Sequence, residues 1–432
     1  MLALAATCLL LIGIYAEAAV GQPRARTAAT TLMGGINVTG VAALPLSEAD
    51  AAIAEAHAMH ARVVRTEVPW EAMEPNAPEE LEPRALAFAD RLLSDAAADG
   101  IRVIMMVDNA PCWAASAPAA VMSTCRPGLP NQQAYAWPPT DPASFAAFTA
   151  FLAHRYGSEL AALEVWNEPD QSNEKYLAGP HKAARYATLL RAAYPAIKQA
   201  DPSVQVLGGS FVGSNGAFLR ALYAEGIKGY YDGLSVHFYT LTIAALRAIR
   251  EVQRSYGDSK PLWLAEFGWS SCWPHRHIEQ EQGCVPARTQ ALNLTNSLRE
   301  MARMGYVAAA TVYKLKDSIG EEFGVFSSRG ARKRSFAGIA AALANPLGRI
   351  SRVTLRLRVS HGAVVASGSG PVGDFMGLEV FQGATLRYTA QFTLNRFNEY
   401  RLRLPSALGT SGLRVRAYQY FSGPPRATQS TI

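Results

Sequence analysis

The chain has 432 residues, of which 49% are hydrophobic, and a formal net charge of +6. This length and composition allow a large core and suggest two or more domains. Beyond the N-terminal segment no apolar run is long enough to cross a bilayer, so we expect no stable membrane span in the mature chain.

The first 20 residues resemble an export signal. The apolar stretch over residues 2–20 contains Ala16-Glu17-Ala18, which resembles a signal-peptide cleavage site, although the usual positive charges before it are missing. We expect residues 1–19 to be a cleaved signal peptide, with a retained N-terminal anchor as the alternative. The protein would then be secreted, periplasmic or attached to the cell surface.

Apolar runs and amphipathic stretches alternate along residues 31–345. The predicted strands cover residues 32–38, 62–66, 101–107, 163–166, 204–207, 233–239, 261–266 and 307–313. The predicted helices cover residues 47–60, 82–99, 141–156, 181–200, 217–225, a stretch ending at 255, 287–304 and 334–344. Eight such alternations predict an α/β fold, a (β/α)8 TIM barrel. A doubly wound open sheet is the alternative, but the Gly-rich phosphate loop typical of that fold is missing.

Two helices carry local signals that can be tested. Ser47, with Asp50 three positions later, is a candidate N-cap of the first helix. Pro195 lies inside the predicted helix 181–200, so we expect a kink or an early end there.

Residues 346–432 change to a period of two and predict a small antiparallel, β-sandwich-like accessory domain. This segment contains 11 arginines and only three acidic residues, so its net charge is 11 − 3 = +8. Alternating arginines on a strand form a solvated face or a surface that holds an anionic polymer. Clustered Lys/Arg runs and a known nucleic-acid module are missing, so we expect no nucleic-acid partner.

Four cysteines follow the predicted signal, at Cys112, Cys125, Cys272 and Cys284. Each neighbouring pair brackets a short segment that contains Pro or Gly. The simplest of the three possible pairings is therefore Cys112 with Cys125 and Cys272 with Cys284. Both bridges would close loops that follow predicted strands. Zinc is an alternative, but the spacings match no standard finger, so we expect no metal.

Two predicted strands end on a glutamate. Glu168 is followed by Pro169, which stops the strand because proline cannot donate to the sheet. Glu266 is followed closely by Gly268. The two glutamates are 98 positions apart, about three βα units of ~30 residues, so they fall on strands four and seven. In a closed barrel these ends face each other, and two opposed carboxylates are the groups that glycoside hydrolysis requires. A solvated loop carboxylate is the alternative for either residue alone.

Other polar residues also lie at predicted strand ends. Arg65 could keep Glu266 ionised, with a surface salt bridge as the alternative. Asn167 could donate to a sugar hydroxyl. His237 and Tyr239 share a strand face, so one could bind a glutamate and the other a sugar; a structural core histidine is the alternative. We expect a drier pocket to keep Glu168 protonated.

Four tryptophans fall at or just after predicted strand ends, namely Trp70, Trp113, Trp166 and Trp269. Aromatic faces suit the apolar face of a sugar ring, but tryptophan is also a common core residue. We expect only two of the four, Trp113 and Trp269, to contact substrate.

Several motifs resemble one known group of enzymes. Residues 163–169 (LEVWNEP) resemble the acid/base motif of retaining glycoside hydrolases of clan A, and residues 263–269 (WLAEFGW) resemble its nucleophile strand. Residues 231–239 (YDGLSVHFY) and 111–114 (PCWA) resemble its sixth strand and the turn after its third. Family 39 is the nearest, with families 5 and 30 and bacterial exopolysaccharide-cleaving enzymes as similar groups.

This resemblance covers residues 34–344 and implies Glu168 as general acid/base and Glu266 as nucleophile. It also implies Asn167 as the ligand of the sugar 2-hydroxyl. Many relatives place an aromatic residue at the end of strand eight, where this chain has Tyr313-Lys314. Tyr313 could take that place, or Lys314 could favour an acidic sugar.

The expected protein is therefore a monomeric glycosidase that acts on an oligo- or polysaccharide, possibly an anionic one, without a metal or organic cofactor. A barrel that binds polysaccharide without cleaving it is the alternative, although both glutamates are present. A transglycosylase would use the same residues, and only its acceptor contacts would distinguish it.

Overall fold

The computed structural model describes residues 32–274, 283–420 and 426–432. The predicted signal peptide at residues 1–19 lies outside the described residues. Within the described ranges, no helix is both long and apolar enough to cross a membrane.

Eight parallel strands form a closed barrel, in the order β1 to β8. Gly35 of β1 pairs with Val63 on one side and with Thr311 on the other, which closes the sheet. The predicted (β/α)8 fold is confirmed. The strands are β1 (Met33–Asn37), β2 (Val63–Pro69), β3 (Arg102–Asp108), β4 (Leu160–Val165), β5 (Val206–Phe211), β6 (Gly233–His237), β7 (Leu262–Phe267) and β8 (Val307–Val312).

Helices cover the outside of the barrel. They are α1 (Leu46–Ala58), α2 (Trp70–Met73), α3 (Pro83–Ala98), α4 (Ala119–Met122), α5 (Pro142–Tyr156), α6 (Lys182–Ala200), α7 (Ala217–Ala224), α8 (Thr242–Ser255), α9 (Ala287–Met301) and α10 (Ser335–Ala344). The short helices α2 and α4 belong to the loops after β2 and β3 and were not predicted.

The predicted N-cap at Ser47 and the predicted early end of the helix at Pro195 were wrong, and the alternative of a kink at Pro195 stays a prediction. α1 begins at Leu46, so Ser47 lies inside the helix, and Pro45 occupies the N-cap position without a capping side chain. Pro195 lies inside α6, which continues to its predicted end. The buried face of α6 extends past the proline, because Ala193 and Ile197 both pack into the core, and this burial supports the helix on both sides.

Two apolar layers place the charged residues at one end of the barrel. The outer layer packs the strands against the helices, with residues such as Phe88 and Leu190. The inner layer contains Val63, Ile104 and Trp263. Because side chains alternate along a strand, Val63 and Arg65 share the inward face of β2. The lower interior is therefore filled by apolar side chains, and polar groups occupy the end that carries the strand carboxyl termini.

The C-terminal segment forms two antiparallel sheets, as predicted. One has the strand order β13-β10-β9 and the other β12-β11-β14-β15. Val364 and Ala366 of the first sheet share an apolar cluster with Leu378 and Val415 of the second. The strands are β9 (Arg356–Ser360), β10 (Ala363–Ser369), β11 (Phe375–Gln382), β12 (Thr385–Thr393), β13 (Glu399–Arg403), β14 (Leu413–Gln419) and β15 (Arg426–Thr431). The boundary at residue 346 stays a prediction.

Polar contacts attach these sheets to the barrel. The buried Asp374 accepts hydrogen bonds from the backbone N–H groups of Ile243 and Ala244, at 2.9 and 3.2 Å. These groups begin α8, where a carboxylate satisfies free N–H groups and complements the helix dipole. Asn296 Nδ2 donates to the backbone oxygen of Pro371 at 2.7 Å.

The cysteines pair as expected, Cys112 with Cys125 and Cys272 with Cys284. Cys112 follows β3 and Cys272 follows β7, so each bridge closes a loop at the carboxyl end of the barrel.

Candidate active site

A cleft of about 950 Å³ opens at the carboxyl ends of the barrel strands. This is the end of a (β/α)8 barrel at which ligands bind. The structure brings seven of the predicted site residues together in its lining, namely Arg65, Asn167, Glu168, His237, Tyr239, Glu266 and Tyr313.

Glu168 is presented by a tight turn after β4. The backbone is left-handed at both Trp166 (φ 63°) and Glu168 (φ 41°), a conformation that costs energy in a non-glycine residue. The Glu168 N–H donates to the backbone oxygen of Ser210 on β5 at 2.9 Å, which fixes the turn. The residue is 6% exposed, and its side-chain Oε2 accepts from Gln171 Nε2 at 2.9 Å.

Glu266 lies on β7 and is held by Arg65 of β2 and by Tyr239, which lies two residues after β6. Its Oε1 accepts from Arg65 Nη1 at 2.6 Å, and the Tyr239 hydroxyl donates to its Oε2. The residue is 6% exposed. Arg65 and Tyr239 thus hold both oxygens of Glu266 in place. Arg65 therefore contacts Glu266 as the sequence predicted.

His237 lies between the two glutamates. Its Nδ1 is 3.0 Å from Glu168 Oε1 and 3.7 Å from Glu266 Oε2. Each of the three residues has one potential metal-ligand atom, and these three atoms all lie within 4.8 Å of one another. Such a group could also hold a metal ion, but Tyr239 and Arg65 already bind both oxygens of Glu266. The absence of a metal requirement stays a prediction.

The pKa values of His237 and Glu168 are linked through their hydrogen bond. Burial raises the pKa of Glu168, but the hydrogen bond and positive charge of His237 outweigh it, and the net pKa is lowered. Burial lowers the pKa of His237, but the charge of Glu266 and hydrogen bonds to Glu164 and Glu168 raise it to about 10. In the substrate-free site both pKa shifts favour the proton on His237 rather than on Glu168, which is opposite to the predicted effect of burial.

A second buried glutamate, Glu164 on β4, lies beneath the site. Its Oε2 accepts from Arg65 Nε at 2.5 Å, and its Oε1 accepts from Ser210 Oγ at 2.6 Å and from the Ser235 hydroxyl. Arg65 thus bridges Glu164 and Glu266. The sequence analysis gave Glu164 no role, although a charge inside an apolar strand signals a buried partner.

Asn37, at the end of β1, is another residue that the sequence analysis missed. Its Oδ1 accepts from Arg65 Nη1 at 3.0 Å, and its Nδ2 donates to the backbone oxygen of Ala265 at 3.0 Å. Asn37 therefore fixes Arg65 and the strand that carries Glu266. The signal available in the sequence was an amide residue near the end of the first predicted strand.

Tyr313 lies directly after β8, where the resemblance predicts an aromatic residue. It packs edge-on against Tyr239 and Phe323, with ring centroids 5.6 and 5.8 Å apart. Lys314 also lines the cleft, but its Nζ contacts Glu321 Oε2 at 2.5 Å and Ser318 Oγ at 2.7 Å. The charge of Lys314 is thus balanced by a carboxylate.

The two predicted tryptophan ligands do not line this cleft as the structure describes it. Trp113 packs edge-on against Trp70 at 5.2 Å and donates to the backbone oxygen of Glu74 at 2.8 Å. Trp269 is buried. Both side chains serve packing here, and substrate contact by either stays a prediction.

Two further carboxyl groups face the cleft, Glu67 on β2 and Asp108 at the end of β3. The Glu67 Oε1 accepts from Asn109 Nδ2 at 3.3 Å. The sequence analysis missed this pair, because the two residues are distant in sequence and meet only through the pairing of β2 with β3.

Comparisons with known proteins identify the kind of barrel. A family model described as a glycosyl hydrolase catalytic core matches residues 141–331. The resemblance to glycoside hydrolases is confirmed, so the barrel is a glycosidase core whose substrate is a carbohydrate. No curated protein sequence matches the chain significantly.

Solved structures of glycosidases share this fold. A family 39 glycoside hydrolase from Bacteroides cellulosilyticus is 17% identical, over 87% of this chain and 80% of that one, with a TM-score of 0.56. A family 39 β-xylosidase from Caulobacter crescentus is 17% identical, over 82% of each chain, with a TM-score of 0.54. The catalytic domain of a family 30 xylanase from Talaromyces cellulolyticus is 14% identical, over 87% of this chain and 95% of that one, with a TM-score of 0.50. At these identities the likeness shows the fold.

Proposed function

We propose that the protein is a retaining glycoside hydrolase that cleaves β-glycosidic bonds, with Glu266 as nucleophile and Glu168 as general acid/base. The observation that supports this most is the short distance between the two carboxylates, whose nearest oxygens lie within 4.8 Å of each other. Retaining enzymes hold their carboxyl groups ~5–5.5 Å apart, whereas inverting enzymes leave ~6.5–9.5 Å for a water molecule.

In the first step a Glu266 oxygen attacks the anomeric carbon. A bond forms between them, the bond from that carbon to the leaving oxygen breaks, and the leaving oxygen takes a proton from Glu168. Arg65 fixes one oxygen of Glu266 through a buried contact of 2.6 Å. The Tyr239 hydroxyl fixes the other oxygen of Glu266.

In the second step a water molecule attacks the anomeric carbon of the glycosyl ester. Glu168 now accepts the proton of that water, the ester bond to Glu266 breaks, and the sugar leaves with net retention. Since the ester is neutral, the negative charge that raised the pKa of His237 is lost at this stage. This change helps Glu168 to alternate between acid and base.

The proton for the first step is the one shared by His237 and Glu168, which lie 3.0 Å apart. Bound substrate excludes water from Glu168 and favours its neutral form, so the proton can move from His237 to Glu168 and on to the leaving oxygen. His237 is thus a positioning residue and a proton reservoir.

Asn167 is proposed to bind the sugar 2-hydroxyl. Its Oδ1 accepts from Arg65 Nη2 at 3.3 Å, so its Nδ2 is the group that can donate to substrate. Such a hydrogen bond strengthens as charge develops in the transition state.

We also propose that the protein acts outside the cytoplasm. The two disulfide bridges support this location, because such bridges persist in oxidising compartments.

The test is reducing-end release from β-glucan, xylan, mannan and anionic exopolysaccharides, followed by NMR of the first product formed. We expect one polymer to yield oligosaccharides with a β-anomeric product, and none in the Glu266→Gln variant. An α-anomeric first product would contradict retention. Binding of a polymer without cleavage would favour the binding-protein alternative.

A further inference from the structure

Glu67 and Asp108 form a second carboxyl pair in the cleft that holds the catalytic glutamates. Glu67 lies two residues after Arg65, so both side chains share the inward face of β2. Asp108 ends β3 opposite Pro69 of β2. The two carboxyl groups therefore lie on neighbouring strands and line the same cleft.

Burial raises the pKa of Glu67 and raises that of Asp108 well above its usual range, and the nearby Glu67 carboxyl raises the pKa of Asp108 further. Of the two, Asp108 therefore favours the neutral form more strongly, and Glu67 is the group that is more readily ionised.

One oxygen of this pair has no partner. Asp108 is 3% exposed, and its Oδ1 lacks a hydrogen bond within the described part of the chain. A buried acceptor without a donor is costly, so a bound group that donates to it is favoured. Asp108 lines the cleft, so a ligand or solvent molecule there can supply such a group.

Two cations of the cleft lining, Arg65 and Lys314, are already paired with carboxylates, whereas Lys175 and Lys316 are exposed. Arg65 is already shared among Glu164, Glu266, Asn37 and Asn167. The other nearby charges are Glu71, whose pKa burial raises to about 7, and the exposed Lys175. Lys314 is balanced by Glu321.

We propose that Glu67 and Asp108 form a subsite for a sugar unit that presents hydrogen-bond donors, either hydroxyl groups or a free amine, and that the subsite rejects a unit bearing a carboxylate. A carboxylate can accept two adjacent hydroxyl groups of one sugar, and Asp108 Oδ1 can accept a third donor. A uronic acid would place a second anion beside Glu67 in a buried site. The inference rests on the proposed glycosidase function and specifies its substrate class.

The test measures binding in the Glu266→Gln background, so that cleavage does not disturb it. Three hexasaccharides with the same β-1,4-linked backbone are titrated by calorimetry: cellohexaose (hydroxyl donors), chitosan hexaose (amines) and cellouronic hexaose (carboxylates). Glu67→Gln, Asp108→Ala and Asp108→Asn are each added to this background. Glu80→Gln, which changes an exposed glutamate outside the cleft, is the matched control.

We expect cellohexaose or chitosan hexaose to bind more tightly than the uronate. Glu67→Gln and Asp108→Ala should weaken that binding by roughly tenfold or more, since each removes a hydrogen bond that involves a charged or buried group. Asp108→Asn keeps an acceptor oxygen and should lose less than Asp108→Ala. Glu67→Gln should also reduce the discrimination against the uronate, which a purely structural role would not change. Glu80→Gln should bind as the background does.

Equal or tighter binding of the uronate, absence of binding by both donor sugars, or unchanged binding in Glu67→Gln and Asp108→Ala would overturn the inference. Cleavage of polymers by the unmodified chain is measured in a separate assay, by reducing-end release. If that chain cleaves a polymer while Glu67→Gln changes nothing, the subsite is wrong and the glycosidase stands. If the variants weaken binding and the unmodified chain cleaves nothing, the subsite stands and the glycosidase is wrong.

Discussion

Arginine occupies two opposite physical situations in this molecule. In the cleft, Arg65 is buried and contacts Glu164 and Glu266 at 2.5 and 2.6 Å. On the three-stranded sheet of the C-terminal segment, four exposed arginines form one outward face. Val365 of β10 lies between Arg358 and Arg403, and Ser367 lies between Arg356 and Arg401. Among the described residues, none of these four forms an ion pair with a carboxylate.

The comparison distinguishes two ways in which an arginine acts: through fixed contacts in a buried site, and through electrostatic attraction on an exposed surface. A buried ion needs all of its partners, because removal of one leaves an uncompensated charge in the interior. The contacts of a buried ion are therefore held in one geometry. An exposed arginine is solvated, contributes little to stability and acts through the field that it adds to its neighbours. The cleft should therefore respond to single substitutions, whereas the arginine face should respond only to several substitutions and to salt.

The largest effect should come from Glu266→Gln. The amide cannot attack the anomeric carbon, so we expect kcat to fall by about 10⁴-fold or more, as for other nucleophile removals. The measurement is reducing-end release from the polymer that the unmodified chain cleaves, with circular dichroism to confirm the fold. Substantial residual activity in a folded variant would contradict the assignment.

A matched pair of arginine substitutions compares the two regions directly. Arg65→Met leaves Glu164 and Glu266 without their cation, so we expect a loss of about 3–5 kcal/mol in the free energy of unfolding. Arg358→Met changes an exposed arginine and should stay within about 0.5 kcal/mol. Urea unfolding measures both. Equal losses would remove the distinction between the two regions.

His237→Gln tests where the proton is held. In the unmodified chain the pKa of His237 is raised to about 10, so the proton shared with Glu168 should be lost only as the pH rises toward that value. In the variant Glu168 must hold the proton itself, and a carboxyl releases it at lower pH. We expect the alkaline limb of the pH profile of kcat/KM to move to lower pH. An unchanged alkaline limb would show that His237 does not hold this proton.

The smallest effect on catalysis should come from the arginine face. Replacing Arg356, Arg358, Arg401 and Arg403 together by serine should change kcat on a small aryl glycoside less than twofold. The same variant should elute from a heparin column at lower salt, because four exposed positive charges are lost. Elution at the same salt concentration would favour a merely solvated face.

The sequence predicted the barrel well because its strands are buried on both faces and read as apolar runs. Leu160–Val165 and Leu262–Phe267 are buried throughout, and a glutamate lies at or just beyond the end of each. The N-cap at Ser47 and the early end of the helix at Pro195 were wrong, because tertiary burial overrode a local preference.

The site was predictable only where a single residue carries the signal. Glu168 and Glu266 stand out against apolar neighbours, whereas the role of Glu164 depends on Arg65, which is 99 positions away. The Glu67–Asp108 pair depends on the register of two strands. Trp113 and Trp269 show that a position just after a strand does not fix the direction of a side chain.

The most direct test of the central claim is to trap the glycosyl-enzyme. Glu168→Gln lacks the acid/base but keeps Glu266, so an aryl β-glycoside with a good leaving group should glycosylate it, and hydrolysis of the ester should be slow. Intact-mass spectrometry with aryl xyloside, glucoside, mannoside and galactoside should show one sugar added, and peptide mapping should place it on Glu266. No adduct with any of them, or an adduct on another residue, would contradict a double displacement through Glu266.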